Sequence, residues 1–257
     1  MAAREIFGER AAIYTTSPSH TDPEVLAEVV WLAAPQADWS VLDVATGTGH
    51  TAFALAPHVA RVVGTDLTPE MLAEGEKLAR ERGIANVRFC LADVHALPFD
   101  DGAFHVVTCR RAAHHFSDIA RALREMRRVL RPEGSRRPFG SGRLVIDDRS
   151  VPEDDFVDAC MNDLDRLHDE SHVRQYRPSE WHRLLAQTGF VVESIQPYTR
   201  HRPLTSLTDR VSPQNVSKIH AILGGLDAEQ RQKLNLADVD GQPYLNHWYV
   251  MLSARVS

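Results

Sequence analysis

Residues 41–50 read VLDVATGTGH, an apolar run that leads directly into a Gly-x-Gly turn. A short apolar run of this kind is typical of a buried β-strand, and the two glycines allow a sharp turn and the close approach of a ligand to the backbone. A helix that begins after the turn offers its first N–H groups to an anion. The segment therefore predicts a strand, a tight turn and a helix that together form one wall of a nucleotide-type site.

Short apolar runs alternate with helical patterns on both sides of this segment, which predicts βαβ units and a parallel sheet with helices on both faces. The predicted strands of this part are 40–44, 61–66, 87–91, 105–109 and 143–147, and the predicted helices include 51–56, 69–82 and 118–130. Nearer the C-terminus we predict helices over 154–167 and from an N-cap at Ser179 to Gly189, and strands at 191–195 and 247–252.

We divide the chain into three parts. Residues 1–36 are predicted to form an N-terminal helical lid segment, in which Asp22 caps a helix. Residues 37–150 are the predicted cofactor-binding core, and residues 151–257 complete the sheet and the substrate pocket of the same domain. The polar, glycine-rich segment Gly134–Gly142 interrupts the alternation and is predicted to be a loop or an insertion.

Composition narrows the class of protein. The chain has 257 residues, of which 43% are hydrophobic and 25% charged, and this ordinary globular composition excludes a disordered or collagen-like chain. The sequence shows no apolar run near the ~20 residues that span a bilayer and no secretory signal. Its three cysteines form no CxxC pair, so we expect no disulfide framework and a cytoplasmic location. A net charge of −6 does not favour a general nucleic-acid binder.

Two acidic residues indicate which ligand the turn binds. Asp43 lies at the mouth of the turn, where a carboxylate would repel a pyrophosphate but can pair with an ammonium group. Asp66 ends the second predicted strand, where a carboxylate can accept two hydrogen bonds from a ribose diol. Together they favour a nucleoside that carries an amino acid, whereas Asp66 alone is also compatible with NAD. Either acid can instead be a structural residue that caps a turn.

The segment after the third predicted strand offers a partner for adenine. Asp93 can accept a hydrogen bond from an exocyclic amine, and Val94 can pack on the ring. The alternative is that Asp93 only stabilises an Asx turn, which is a common role for this residue type.

This ordered series of motifs resembles the class I S-adenosylmethionine-dependent methyltransferases. The resemblance is carried by DVATGTG at 43–49, Asp66, DV at 93–94 with LPF at 97–99, and LRPEG at 130–134. It covers roughly residues 35–150, and the most similar branch contains the ubiquinone/menaquinone-biosynthesis enzymes and many other small-molecule methyltransferases. The family usually passes from Pro-x-Gly almost directly into the fifth strand, so the insertion after residue 134 is a departure that puts the local loop in question.

The resemblance implies an α/β, Rossmann-like sheet of seven strands that is mostly parallel, with the last strand antiparallel and helices on both faces. It implies S-adenosylmethionine as cofactor, bound across the carboxyl ends of the strands. The implied contacts are Asp43, Ala45, Gly47, Gly49 and Arg110 for the methionine part, Asp66 for the ribose, and Leu67, Met71, Asp93 and Val94 for the adenine.

A candidate general base follows the fourth predicted strand, where residues 110–116 read RRAAHHF. Histidine titrates near neutral pH, so His115 or His114 suits this role. Neighbouring side chains point in different directions, and we favour His115 as the one that faces the site. Both can instead be structural or surface histidines. Adjacent histidines rarely chelate one ion, so no metal site is predicted, and His168 and His172 are interpreted as surface or substrate-pocket residues.

The substrate pocket is expected to contain aromatic residues, namely Tyr14, Phe116, Trp181, Tyr198 and Tyr244. These side chains form no pattern that identifies a substrate. We interpret the chain as a cytoplasmic methyltransferase that acts on a carbon or oxygen atom of a small organic molecule. The alternatives are an RNA or protein methyltransferase, a cofactor-binding protein without catalysis, and an NAD-dependent oxidoreductase. No membrane or nucleic-acid partner is expected, and the oligomeric state stays open, with a homodimer as one option.

Overall fold

The structure, a computed structural model, describes Thr15, residues 17–132 and residues 142–257. Predictions for Tyr14, for most of the first half of the lid segment 1–36 and for residues 133–141 of the insertion lie outside the described residues. Within the described residues, no helix combines the length and the apolar character that a membrane crossing requires.

The centre of the molecule is a mixed β-sheet with the strand order β3-β2-β1-β4-β5-β8-β6. Strands β1 to β5 are parallel, and β8 lies antiparallel between β5 and β6. A short additional strand, β7, pairs with the first residues of β8. The bounds are β1 Ser40–Val44, β2 Arg61–Asp66, β3 Val87–Leu91, β4 Val106–Arg110, β5 Arg143–Ser150, β6 Phe190–Pro203, β7 Ala237–Val239 and β8 Gln242–Val256.

This topology confirms the predicted fold class. The seven strands of the main path are those implied by the resemblance, and the last strand in the chain is the antiparallel one. The two final long strands differ from their prediction, because β6 and β8 extend well beyond 191–195 and 247–252. Their outer halves pair with each other from Thr199 to Pro203.

Helices pack on both faces of the sheet. Their bounds are α1 Pro18–Thr21, α2 Pro23–Ala33, α3 His50–Leu55, α4 Pro69–Glu81, α5 Ile119–Val129, α6 Asp155–His168, α7 Pro178–Gln187, α8 Thr205–Thr208, α9 Pro213–Gly224 and α10 Ala228–Lys233. Short 3-10 turns occur at Ala56–His58 and Ala113–His115.

The N-caps explain where several helices begin. The Asp22 carboxylate accepts hydrogen bonds from the first turn of α2, as predicted, and Asp118 caps α5 in the same way. The prediction for Ser179 is wrong, because α7 begins at Pro178 and its N-cap is Arg177. Proline at the first helical position fixes φ for the helix, so the start moves ahead of the serine.

The core has a cluster of buried side chains on each side of the sheet because consecutive strand residues point to opposite faces. In β1, Leu42 and Val44 belong to the cluster that includes α5 and α7, whereas Val41 belongs to the cluster that includes α2 and α3. Both clusters hold the carboxyl ends of β1, β2 and β4 in fixed positions. This edge of the sheet is where ligands bind in open α/β folds.

A third cluster of buried residues forms a cap over this edge. The cap consists of α6 and residues 204–241, and its apolar core includes Met161, Leu164, Leu207 and Ile219. Strand β6 runs parallel to β5, since each is antiparallel to β8, and so the chain leaves both strands at their carboxyl ends. The cap therefore adds walls to the site rather than extending the opposite edge.

Candidate functional site

A cavity of about 350 Å³ lies at the carboxyl ends of β1, β2 and β4; we call it the first cavity. This volume falls within the range of about 300–1,000 Å³ that small-molecule sites occupy. Most of the site residues proposed from the sequence line this cavity. Those that line it are Asp43, Ala45, Asp66, Leu67, Met71, Asp93, Val94 and Arg110, together with His115 and Phe116.

The turn after β1 has the backbone geometry that only glycine adopts readily. Gly47 has a φ of +55°, and a Cβ atom added there would meet nothing within 4 Å. Gly49 has a φ of +91°, and an added Cβ would lie 2.9 Å from a ring carbon of Phe89 and 3.0 Å from one of Phe53. Gly47 therefore faces open space, whereas Gly49 allows the turn to pack against two aromatic rings. Neither glycine is a lining residue of the first cavity.

Asp66 fixes this turn from the end of β2. One carboxylate oxygen accepts the N–H of Gly47 and the other accepts the N–H of Thr68, both at 2.9 Å. Burial raises the pKa of Asp66, although these hydrogen bonds oppose that effect. A carboxylate oxygen has more than one acceptor lone pair, so Asp66 retains capacity for a ligand hydroxyl. The side chain thus combines a structural role in the turn with a position in the wall of the cavity.

Asp43 is buried beneath the same turn. Its carboxylate accepts hydrogen bonds from the hydroxyl of Thr46 at 2.5 Å and from that of Thr108 at 2.6 Å. Burial raises the pKa of Asp43 to about 6, although the two hydroxyls and the charge of Arg110 oppose the change. At neutral pH the group is mainly ionised, so a negative charge lies at the floor of the cavity next to β4.

Asp93 forms the turn that the alternative interpretation anticipated. Its Oδ1 atom accepts hydrogen bonds from the backbone N–H and from Nδ1 of His95, at 2.8 and 2.7 Å. These hydrogen bonds, together with nearby positive charge, outweigh burial and lower the pKa of the Asp93 carboxyl. Asp93 nevertheless lines the first cavity, so the same residue forms the Asx turn and part of the wall of the site.

Arg110 connects the end of β4 to the N-terminal helices. Its Nε donates to the hydroxyl of Thr51 at 2.9 Å, and its Nη2 donates to the carbonyl oxygen of His20 at 2.6 Å. Burial lowers the pKa of Arg110, although its surrounding carboxylates oppose this. His20 belongs to α1 and lines the first cavity. The short helix α1 is therefore held over the site by a hydrogen bond to an arginine within it.

His114 and His115 lie in the 3-10 turn that follows β4, with their ring centroids 3.9 Å apart. The Nδ1 atom of His114 is 2.5 Å from Oδ1 of the buried Asp148, and the backbone N–H of His114 donates to Oδ2 of the same carboxylate at 2.8 Å. Because a carboxylate only accepts, Nδ1 carries the proton and Nε2 is the basic atom. No described residue forms a hydrogen bond with Nε2 of His114.

His115 has a different environment. Its Nδ1 atom lies 3.0 Å from the hydroxyl oxygen of Ser171 and 3.2 Å from the carbonyl oxygen of the same residue. The Ser171 hydroxyl in turn donates to Asp169 at 2.7 Å. Burial, and next the charge of His114, lower the pKa of His115 to about 3, so the ring is neutral across the physiological pH range.

A second cavity of about 250 Å³ adjoins the first. His20, Arg111 and His115 line both cavities, and His114, His168 and His172 line the second. The sequence interpretation placed His168 and His172 at the surface or in the substrate pocket, and the wall of the second cavity agrees with the second option. Arg149, Arg202 and His247 were missed; the polar run Asp147-Asp148-Arg149 at the end of β5 is the signal that pointed there.

Among the described aromatic residues proposed for the substrate pocket, Phe116 lines the first cavity, and the other three have different roles. Trp181 is completely buried in the core, where α7 packs against the sheet. The rings of Tyr244 and His201 are in contact, with 5.3 Å between their centroids. The Tyr198 hydroxyl donates to Oδ1 of Asp147 at 2.6 Å, and the same carboxylate pairs with Arg111. In the described part of the chain these three residues line neither cavity.

The first cavity fits a nucleoside that carries an amino acid, as S-adenosylmethionine does. Carboxylate acceptors lie at one end, where Asp66 ends β2 and Asp93 follows the neighbouring strand β3. Asp43 and Arg110 provide both signs of charge at the other end. The buried hydroxyl of Thr48, in the glycine turn, has no hydrogen-bond partner among the described residues. A buried hydroxyl of this kind is costly to leave unpaired, and a polar ligand would relieve that cost. No group of three or more metal-ligating side chains is arranged for a metal ion within the described residues.

Comparison with known proteins agrees with this geometry. The methyltransferase domain family matches residues 41–134. The chain is similar to an uncharacterized methyltransferase, YcgJ, of Bacillus subtilis strain 168, with 38% identity over 192 residues, which are 75% of this chain and 73% of that protein. It is also similar to a demethylmenaquinone methyltransferase of Thermus thermophilus, with 47% identity over 117 residues, covering 45% of this chain and 49% of the other. The crystal structure of Bacillus subtilis YcgJ aligns with a TM-score of 0.82 and 33% identity over 90% of this chain and 97% of that chain.

Proposed function

We propose that this chain, which belongs to the class I S-adenosylmethionine-dependent methyltransferases, methylates an oxygen or carbon atom of a small organic molecule. The observation that carries the proposal is the pair of adjoining cavities, which share the walls formed by His20, Arg111 and His115. A second cavity of about 250 Å³ suits a small acceptor better than a segment of RNA or protein. The similarity to an enzyme named for demethylmenaquinone, itself a small molecule, supports the same class of acceptor.

In this proposal the first cavity holds the cofactor. Asp66 binds the ribose hydroxyls, and Asp43 and Arg110 face the ammonium and carboxylate groups of the methionine part. The adenine lies among Leu67, Met71, Asp93 and Val94, which combine an apolar surface with one acceptor. Ala45, Gly47 and Gly49 belong to the turn that lets the cofactor approach the backbone.

The cofactor supplies an activated methyl group on its sulfonium, so the protein does not have to generate the electrophile. The task of the chain is to hold the acceptor in line and to exclude water. Positioning of this kind lowers the activation free energy by up to ~7–11 kcal/mol. The cap closes the second cavity from the carboxyl edge of the sheet, and α1, tied down through Arg110, covers the junction with the first cavity.

We further propose His114, rather than His115, as the general base for an acceptor that must lose a proton. The buried carboxylate of Asp148 holds the Nδ1 proton of His114, which fixes the tautomer and leaves Nε2 to accept the proton of the acceptor. Burial raises the pKa of Asp148, but the charge of His114 and its hydrogen bond outweigh burial, so the pKa is lowered and the carboxylate stays ionised beside the ring. His115 has a lowered pKa of about 3 and is a weak base at neutral pH.

The test is transfer of a radiolabelled methyl group from S-adenosylmethionine into three fractions of a cell extract: small molecules, RNA and protein. We expect label in the small-molecule fraction with the wild type and a strong decrease with Asp66→Ala. Asp100→Ala is the matched control, because Asp100 is an exposed acid that lines neither described cavity and should leave the label unchanged. Label that appears in RNA or protein but not in small molecules would contradict the proposal.

A further inference from the structure

The second cavity lies between the sheet and the cap, and side chains from distant segments build it. Arg111 follows β4, Arg149 lies in β5, Arg202 lies in β6, and His168 ends α6. Three of its lining residues also line the first cavity, so a molecule in the second cavity is next to the proposed methyl donor.

Two of the three arginines in this cavity are neutralised by buried acids. Nε of Arg111 donates to Oδ2 of Asp147 at 2.9 Å, and Nη2 of Arg149 donates to Oδ2 of Asp165 at 2.6 Å. The other acid that lines the cavity, Asp169, accepts the N–H and the hydroxyl of a serine in its own turn. The carboxylates around the cavity are therefore already engaged by partners of the chain itself.

Arg202 is the exception among these arginines. Its side chain is half-buried in the wall of the second cavity, and within the described residues its guanidinium forms no hydrogen bond and no ion pair. Arg200, two residues earlier on the same strand, instead pairs with Asp22 at 3.4 Å. A partly desolvated guanidinium without a partner is costly, and an anion in the cavity would compensate for that cost.

Three histidines of the cavity add no positive charge at neutral pH. Burial lowers the pKa of His172 to about 4 and that of His247 well below its usual value. The pKa of His20 is also lowered well below its usual value by burial and by nearby arginines. These three rings are neutral hydrogen-bonding groups, whereas Arg202 provides a permanent positive charge that has no partner among the described residues.

We propose that the second cavity binds the methyl acceptor, and that this acceptor carries a carboxylate or phosphate group that is bound by Arg202. The inference rests on the proposed function, because it identifies the class of acceptor for the same site. The planar guanidinium presents two parallel N–H donors, which match the oxygens of either anion. An oxyanion fixed on β6 would hold the rest of the acceptor between the cap and His114, toward the first cavity.

The experiment measures binding of benzoate and of inorganic phosphate to the protein saturated with S-adenosylhomocysteine, with neutral benzamide as a third probe. Arg202→Gln removes the proposed anchor, and Arg202→Lys keeps the charge without the planar fork. The matched control is Arg166→Gln, since Arg166 lies on α6, is half-exposed and affects the electrostatics of His172 without lining the cavity. Thermal unfolding of each variant checks that the fold is retained.

We expect at least one of the two anions to bind the wild type and Arg166→Gln with equal affinity. The same anion should bind Arg202→Gln at least tenfold more weakly, and its affinity for Arg202→Lys should be intermediate. Benzoate binding alone would assign a carboxylate, and phosphate binding alone a phosphoryl group. The inference is overturned if neither anion binds, if benzamide binds as well as benzoate, or if Arg202→Gln binds like the wild type. The affinity for S-adenosylhomocysteine, measured separately, should be equal in all variants. If the wild type does not bind S-adenosylhomocysteine, the proposed function is overturned as well.

Discussion

Asparagine in place of Asp43 should change how the stability of the protein depends on pH. Asp43 is fully buried, and its pKa is raised from 3.8 to about 6 because burial disfavours the charged form. The hydroxyls of Thr46 and Thr108 stabilise the carboxylate but do not offset burial completely. The asparagine side chain has nearly the same shape and carries no charge to titrate.

The size of the effect follows from the two pKa values. The difference between 3.8 and about 6 corresponds to ~3 kcal/mol in the free energy of unfolding. The folded state binds the proton of Asp43 more tightly than the unfolded state does. The contribution of Asp43 is therefore fully present below about pH 4 and is lost as the pH rises through about 6. Relative to Asp43→Asn, the wild type should gain ~2.5 kcal/mol between pH 7 and pH 4, because at pH 4 the unfolded chain also holds part of this proton.

Urea unfolding of the wild type and of Asp43→Asn at four pH values between 7 and 4 measures this gain. The raised pKa of Asp66 acts equally in both proteins and cancels in the difference. Asp100→Asn, an exposed replacement, controls for a general effect of lost charge, and equal urea slopes would verify that both proteins unfold alike. A difference between the two proteins that stays constant from pH 7 to pH 4 would refute the reasoning.

Three other predictions concern the turn, the ribose site and the proposed base. Asp66→Ala should weaken S-adenosylhomocysteine binding by ~1.5–3 kcal/mol, or roughly 10- to 150-fold, through loss of a charged acceptor; an unchanged Kd in calorimetry would remove Asp66 from the ribose role. His114→Ala should lower turnover ~10²–10⁴-fold with unchanged cofactor affinity, whereas a larger loss in His115→Ala would reverse the assignment. Gly49→Ala should lower the free energy of unfolding by ~2–4 kcal/mol, because its φ is +91° and the new Cβ would lie 2.9 Å from a ring. Gly47→Ala, with φ of +55° and open space, should cost only ~1–2 kcal/mol in urea unfolding, and equal losses in the two variants would argue against the packing role.

The fold was predictable where the signal is local. The apolar runs of β1, β2 and β4 are buried on both faces, so they appear in the sequence as short apolar segments. The outer halves of β6 and β8 were not predicted, because the outer half of β6 is polar: Arg200 and Arg202 are partly buried and alternate with the exposed Thr199 and His201. Those halves form strands because they pair with each other, and such pairing leaves no apolar run in the sequence.

The two cavities differ in the same way. The glycine turn, Asp43 and Asp66 lie close to predictable strand ends, so their arrangement follows from the topology of a parallel sheet. The second cavity combines residues of β5, β6 and the cap, such as Arg149 and Arg202, which are far apart in the chain. Trp181 shows the opposite error, since an aromatic residue of the C-terminal part was assigned to the pocket and instead fills the core. Composition does not distinguish these two uses of an aromatic side chain.

The most direct test of the central claim is a crystal structure of the protein with S-adenosylhomocysteine. We predict that the ligand occupies the first cavity, with its ribose hydroxyls within hydrogen-bond distance of the Asp66 carboxylate and its amino-acid end next to Asp43 and Arg110. A ligand bound elsewhere, or one whose ribose does not contact Asp66, would contradict the account.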